Sequence, residues 1–193
     1  MRKLWLSLIC LALVLCGQIA SAAGITTYPA LIGSDYWVKN NPKGDNVVLN
    51  AEGIKNMNAS IRAVSRTVVN MSSYPTEING NSLKTRILNY QVLEDDLYLN
   101  GKKVSDNYKN ILRTQTNVDK IPEKVVVRYG VVVRRANLRN LPTGQGLFYY
   151  ANDVDFDALQ ETVMDPGEPV AILNQSQNGY FYFIQARNYK GWI

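Results

Sequence analysis

The 193-residue chain carries a formal charge of +5, with 46% hydrophobic and 19% charged residues, the balance of a folded protein of one or two modest domains. It contains no histidine, and both cysteines, Cys10 and Cys16, fall within the first 16 residues. A Ser-His-Asp relay, a Cys-His pair and a His/Cys metal centre are therefore excluded beyond that segment, and no metal and no cofactor are expected.

Residues 1–23 read as a secretory signal peptide. Arg2 and Lys3 form the charged start, Leu4 to Cys16 a 13-residue largely apolar run, and Ala20-Ser21-Ala22 the small-x-small cleavage pattern. As a helix, that run covers roughly 20 Å, short of the ~30 Å hydrocarbon core, so no permanent membrane span is expected. Leu13-Val14-Leu15-Cys16 has the outline of a lipidation box, which would anchor the protein through Cys16. However, Leu15 stands where a small residue is needed, and cleavage after Ala22 is the expectation. An exported protein of the periplasm or cell envelope follows. Removing Arg2 and Lys3 leaves 5 − 2 = +3, with no run of five basic residues, so no nucleic-acid partner is expected.

Gly24 to Gly44 reads as an extended lead-in. Its Tyr36-Trp37 pair suits an anchor on the domain core, with a ligand-facing role as the other reading. Asn50 is a good N-cap and Glu52 complements the dipole of a helix from about Ala51 to Ala63. Ile54, Met57, Ile61 and Val64 form its apolar stripe, and Asn58 is expected to bond a neighbouring backbone group. Pro75 and Gly80 break the chain, and Ser82 is the expected cap of a second helix through Leu83, Ile87, Leu88 and Tyr90. Asn100-Gly101 between Leu97-Tyr98-Leu99 and Lys102-Lys103-Val104 predicts a hairpin. Asp106 is the expected cap of a short helix over Tyr108 to Arg113.

Beyond Ile121-Pro122 the pattern is all β. Val125, Val127, Tyr129, Val131 and Val133 alternate as one strand, which runs into a basic elbow at Arg134 and Arg135 and the turn Leu141-Pro142-Thr143. Pro166-Gly167 and Asn178-Gly179 are turns around an apolar strand from Val170 to Leu173, and Tyr180 to Ile184 is an aromatic strand. Trp192 is assigned to the core. The expected fold class is α+β: a small, mostly helical domain over 24–120, then a small β-barrel over 121–193.

The motifs of the second half resemble a bacterial SH3 domain of the kind joined to NlpC-family cell-wall peptidases. They are Arg135-Ala136-Asn137-Leu138-Arg139-Asn140-Leu141-Pro142-Thr143, Asp155-Phe156-Asp157 with Leu159-Gln160-Glu161, Gly167-Glu168-Pro169-Val170, Asn178-Gly179-Tyr180-Phe181-Tyr182 and Gly191-Trp192-Ile193. Asp35-Tyr36-Trp37, Val48-Leu49-Asn50-Ala51-Glu52 and Ile54 to Asn58 are similar to the clip-like stabilising domain that precedes such SH3 domains.

The resemblance implies an exported endopeptidase acting on peptidoglycan stem peptides through a papain-like domain with a cysteine nucleophile and a histidine base. This sequence holds neither residue where that chemistry needs it. By that resemblance the chain ends before a last barrel strand and before the catalytic domain, and is read as the non-catalytic, substrate-engaging and stabilising region of a longer peptidase. The alternative is a stand-alone peptidoglycan-binding envelope protein without enzymatic activity.

Within that reading, the candidate stem-peptide residues are Arg135 and Arg139, for carboxylates, and Tyr149 and Tyr150, as an amphipathic wall. For Arg139, bracing its own loop through backbone carbonyls is the favoured reading. Asp153, Asp155 and Asp157 alternate like oxygen ligands, but without the glycine and glutamate offsets of a calcium loop. Asp155 and Asp157 as a glycosidase pair lack any cleft-forming context.

Overall fold

The computed structural model describes residues 33–65, 67–91, 93 and 96–193. The expected signal peptide, Cys16, and the first part of the lead-in lie outside the described residues. The chain divides into two compact units, Met1–Ala51 and Glu52–Ile193. The boundary expected at 120/121 falls inside the second.

In the first unit, residues 34–39 are not extended but form a short helix, α1 (Ser34–Lys39). Asp35 near its start and Lys39 near its end suit the helix dipole. Tyr36 and Trp37 meet edge to face at 5.3 Å and are both exposed. Within this unit the two rings cover each other.

The second helix, α2 (Ala51–Val64), forms over the expected span. None of its residues is buried, and Ile54, Met57 and Ile61 are each more than 40% exposed. The apolar stripe set the helix without giving it a covering layer among the described residues.

The third helix, α3 (Gly80–Leu88), starts two residues before Ser82. Its cap is Asn79, whose side-chain oxygen accepts from the Ser82 backbone N–H at 2.9 Å. Asn79 also ends β1 (Glu77–Asn79), so one amide closes a strand and opens a helix. The Asn100-Gly101 turn joins β2 (Tyr98–Leu99) to β3 (Lys102–Lys103), with φ of 50° and 76° at its two residues, the mirror-image turn the dipeptide favours. Ser105, not Asp106, caps α4 (Asp106–Gln115) by accepting from the Tyr108 N–H at 3.3 Å. The helix runs longer than expected at both ends.

The single strand expected from Val125 to Val133 is two. β4 (Lys124–Val126) pairs with β1, whereas β5 (Arg128–Val131) pairs with β8 (Pro169–Gln175). Val127 marks the change of partner, donating its N–H to Thr76 O at 2.9 Å. With β6 (Ala136–Arg139), β7 (Gln160–Met164), β9 (Tyr182–Gln185) and β10 (Lys190–Trp192), the strands form a six-stranded sheet in the order β5-β8-β9-β10-β6-β7. β5 and β7 are its two edges and do not pair with each other, so the sheet is open and not closed into a barrel.

Three buried clusters hold the second unit. In the first, Leu83 and Ile87 of α3 pack with Ile121, Val125, Val127, Ala171, Leu173, Phe183 and Trp192. Helix and sheet thus share a core across Ile121. Trp192 is fully buried and meets Phe183 edge to face at 5.3 Å, as its core assignment required. The second cluster joins Leu97, Val104 and Leu112 to Leu141, Leu147 and Leu159. The third, with Val132, Leu138, Met164, Val170, Ile184 and Ala186, lies beneath the groove described next.

Candidate functional site

Where the sheet stays open, a groove of about 560 Å³ runs beside β5 and its outgoing elbow. Its floor is aliphatic: Val132, Val170 and Ile184 come from the third core cluster, joined by Ile172 and Ile193. Its rim carries Val131 and Val133, both well exposed, and the cations Arg134 and Arg135. Tyr182 closes one end, its ring under the Arg128 guanidinium at 5.6 Å. An aliphatic floor under a basic rim suits a ligand with small apolar side chains and a carboxylate.

Arg135 is the sequence-predicted site residue that this groove contains. Its Nε lies 3.6 Å from Asp165 Oδ1, with both side chains about two-thirds or more exposed, so the contact is weak and easily exchanged for a ligand anion.

Arg139 occupies a different place. Only 5% of its side chain is exposed; one terminal nitrogen lies 2.7 Å from Asp157 Oδ2, and the other donates to Gln145 O at 2.7 Å. Asp157 Oδ1 in turn accepts from the Leu147 and Leu159 N–H groups, at 3.1 and 3.0 Å. The pair therefore ties the 144–147 loop to the start of β7, the loop-bracing role favoured from sequence.

Tyr149 and Tyr150 are exposed, 40% and 74%, and neither lines the groove. Their loop follows Phe148, which exchanges two backbone hydrogen bonds with Tyr98, so it is tied to the β2–β3 hairpin. The structure does not gather the four candidates into one site.

Two of the three aspartates have separate tasks. Asp153 accepts from the Asp155 N–H at 2.9 Å and shapes its own turn, while Asp157 is held by Arg139. No group of three or more potential metal ligands occurs among the described residues.

A second, polar cleft of about 290 Å³ went unnoticed in the sequence because its residues come from four distant segments. Arg86 is in α3 and Tyr90 just beyond it; Glu161 is in β7, Gln185 in β9, and Tyr189 and Lys190 at the start of β10. Burial, then the Glu161 carboxylate beside it, pushes the Tyr90 hydroxyl well above the ordinary tyrosine value. Burial, then the nearby Arg86 charge, pulls the Lys190 ammonium below the usual lysine range.

Residues 147–193 match the model of an SH3 domain of the SH3b1 type. The fold is similar to a solved structure described as a novel NlpC/P60 endopeptidase from Photobacterium damselae subsp. piscicida, with a TM-score of 0.51 and 20% identity. The likeness covers 77% of this chain and 36% of that one, so this chain spans about a third of the length of the solved one. No curated protein matches the sequence. The SH3 match falls in the half of the chain whose motifs carry the resemblance, and it includes β7, β8, β9 and β10. No helix among the described residues is long and apolar enough to cross a membrane.

Proposed function

We propose that this chain is the non-catalytic, substrate-engaging region of an exported cell-wall cysteine peptidase that cleaves peptidoglycan stem peptides. The groove holds a stem peptide, and a further domain of the same protein supplies the cysteine and histidine. The observation that carries this reading is the groove itself, in which aliphatic side chains of an open SH3-type sheet are walled by Arg134 and Arg135. Stem peptides offer the matching chemistry, methyl-sized side chains alternating with free carboxylates. The SH3-type match and the endopeptidase-like fold favour this ligand class over other peptides.

The test is co-sedimentation of the purified protein with purified sacculi, followed by muropeptide analysis of the supernatant. The protein is expected to sediment with sacculi and to release no stem peptide by itself. Val133→Asp and Arg135→Glu, both at exposed rim positions, are expected to weaken sedimentation without unfolding the protein. Retention of both variants equal to the parent would remove the groove from the reading, and no sedimentation of the parent would remove wall engagement altogether.

A further inference from the structure

The polar cleft holds two cations on separate elements, Arg86 and Lys190, and neither has a carboxylate within 4.0 Å among the described residues. The hydrogen bond described for Arg86 is a weak one at 3.3 Å to the Tyr74 hydroxyl, which leaves most of its donors available. Lys190 lies over the Tyr90 ring, its Nζ 5.4 Å from the centroid. Both side chains are half-buried, and half-buried like charges around one cleft oppose folding unless an anion answers them.

The wall behind them is built rigidly. Gln185, 5% exposed, donates from Nε2 to Ala186 O at 2.9 Å and to Tyr189 O at 3.0 Å, which fixes the turn carrying Tyr189 and Lys190. Among the described residues lining the cleft the one carboxylate is that of Glu161, beside the Tyr90 hydroxyl. An exposed carboxylate there disfavours a dianion such as phosphate and favours a ligand that brings its own cation.

We propose that this cleft binds a small ligand bearing both a carboxylate and an ammonium, an amino acid or short peptide terminus. The carboxylate sits between Arg86 and Lys190, and the ammonium faces Glu161. The site is distinct from the aliphatic groove and does not rest on the wall-peptide reading, because none of its residues lines that groove.

The test is an amide chemical-shift titration of the full chain with glycylglycine, N-acetylglycine, glycinamide and inorganic phosphate. Saturable shifts confined to residues around 86–90, 161 and 185–190 are expected with glycylglycine, with weaker ones for the two singly charged analogues. Arg86→Gln and Lys190→Gln are each expected to weaken glycylglycine about tenfold, the value of one charge-assisted hydrogen bond. Glu161→Gln should weaken glycylglycine while leaving N-acetylglycine unchanged, and the same spectra report whether each variant is folded. Two variants on separate elements keep the test decisive if one fails to fold. No saturable shift, phosphate binding as tight as glycylglycine, or folded variants that bind like the parent would each overturn the proposal.

Discussion

Replacing Asp157 by asparagine keeps its shape and removes its charge. In the folded protein the Arg139 guanidinium then faces an amide at 2.7 Å, with 5% of its side chain exposed and no other carboxylate in a described ion pair with it. Removing one partner of a buried pair costs about 3–5 kcal/mol, and the 17% exposure of Asp157 lets some water in, which points to the lower end, ~3 kcal/mol. Asp157→Ala also strips the acceptor from the Leu147 and Leu159 N–H groups, so it should cost more, ~5 kcal/mol. Urea unfolding followed by the fluorescence of buried Trp192 measures both. The double change Arg139→Met with Asp157→Asn removes both charges and keeps an acceptor for the Leu147 and Leu159 N–H groups, so it should be less damaging than Asp157→Asn alone. A loss below about 1 kcal/mol for Asp157→Asn would refute the reasoning, since it would mean that Arg139 is solvated in solution.

Gly80→Ala should destabilise by ~3 kcal/mol, because the added Cβ would lie 1.7 Å from Pro122 O and force apart the β1–β4 pairing; the same urea assay reads it. Met57→Ser and Ile61→Ser should each cost under about 0.5 kcal/mol, since both side chains are already exposed; a loss near 2 kcal/mol would show the stripe to be covered. Alkaline stability reports the polar cleft. The folded state raises the Tyr90 hydroxyl above its ordinary 10.0, so its contribution is whole below that pH and fades as pH rises through it. Tyr90→Phe should therefore flatten the fall in the urea midpoint above about pH 10. Lys190 is shifted down from 10.5, so the unfolded chain holds its proton longer and stability rises as pH approaches that value; Lys190→Met should abolish this rise.

Sequence pattern read well wherever local chemistry decides the outcome. The 3.6-residue stripe set α2, the Asn100-Gly101 pair set its hairpin, and Gly179, at φ 79°, set the turn before β9. It read less well where a distant partner decides. Nothing local distinguishes Val125 from Val131, yet β1 captures the first and β8 the second, and so one alternating run became two strands. Caps shifted by one to three residues for a related reason. Asn79 and Ser105 stand just outside helices whose first turns also contain capping types, and only the approach of β1 and of the β2–β3 hairpin selects between them. The polar cleft was illegible because four separate segments build it, and no two of its charges lie close in sequence.

Arg135 and Arg139 show how a local counter-charge can separate two candidates. Four residues apart along an extended segment, they share a face by the period of two, and both are then expected to reach the same ligand. Along β6, Asn137 is exposed, Leu138 is fully buried in the third core cluster, and Arg139 is buried on the opposite face, across from Trp192. Between Leu138 and Arg139 the pairing with β7 slips, so Arg139 faces Gln160 where strict register requires Glu161. Arg139 stands opposite Trp192 of β10, on the face away from Leu138, and its buried position is tenable because Asp157, three residues before β7, meets the charge there. Without Asp157 the buried Arg139 charge would keep the Gln145 carbonyl as its acceptor but lose its counter-charge. The ion pair and the Gln145 contact thus occupy Arg139, while Arg135 lines the groove.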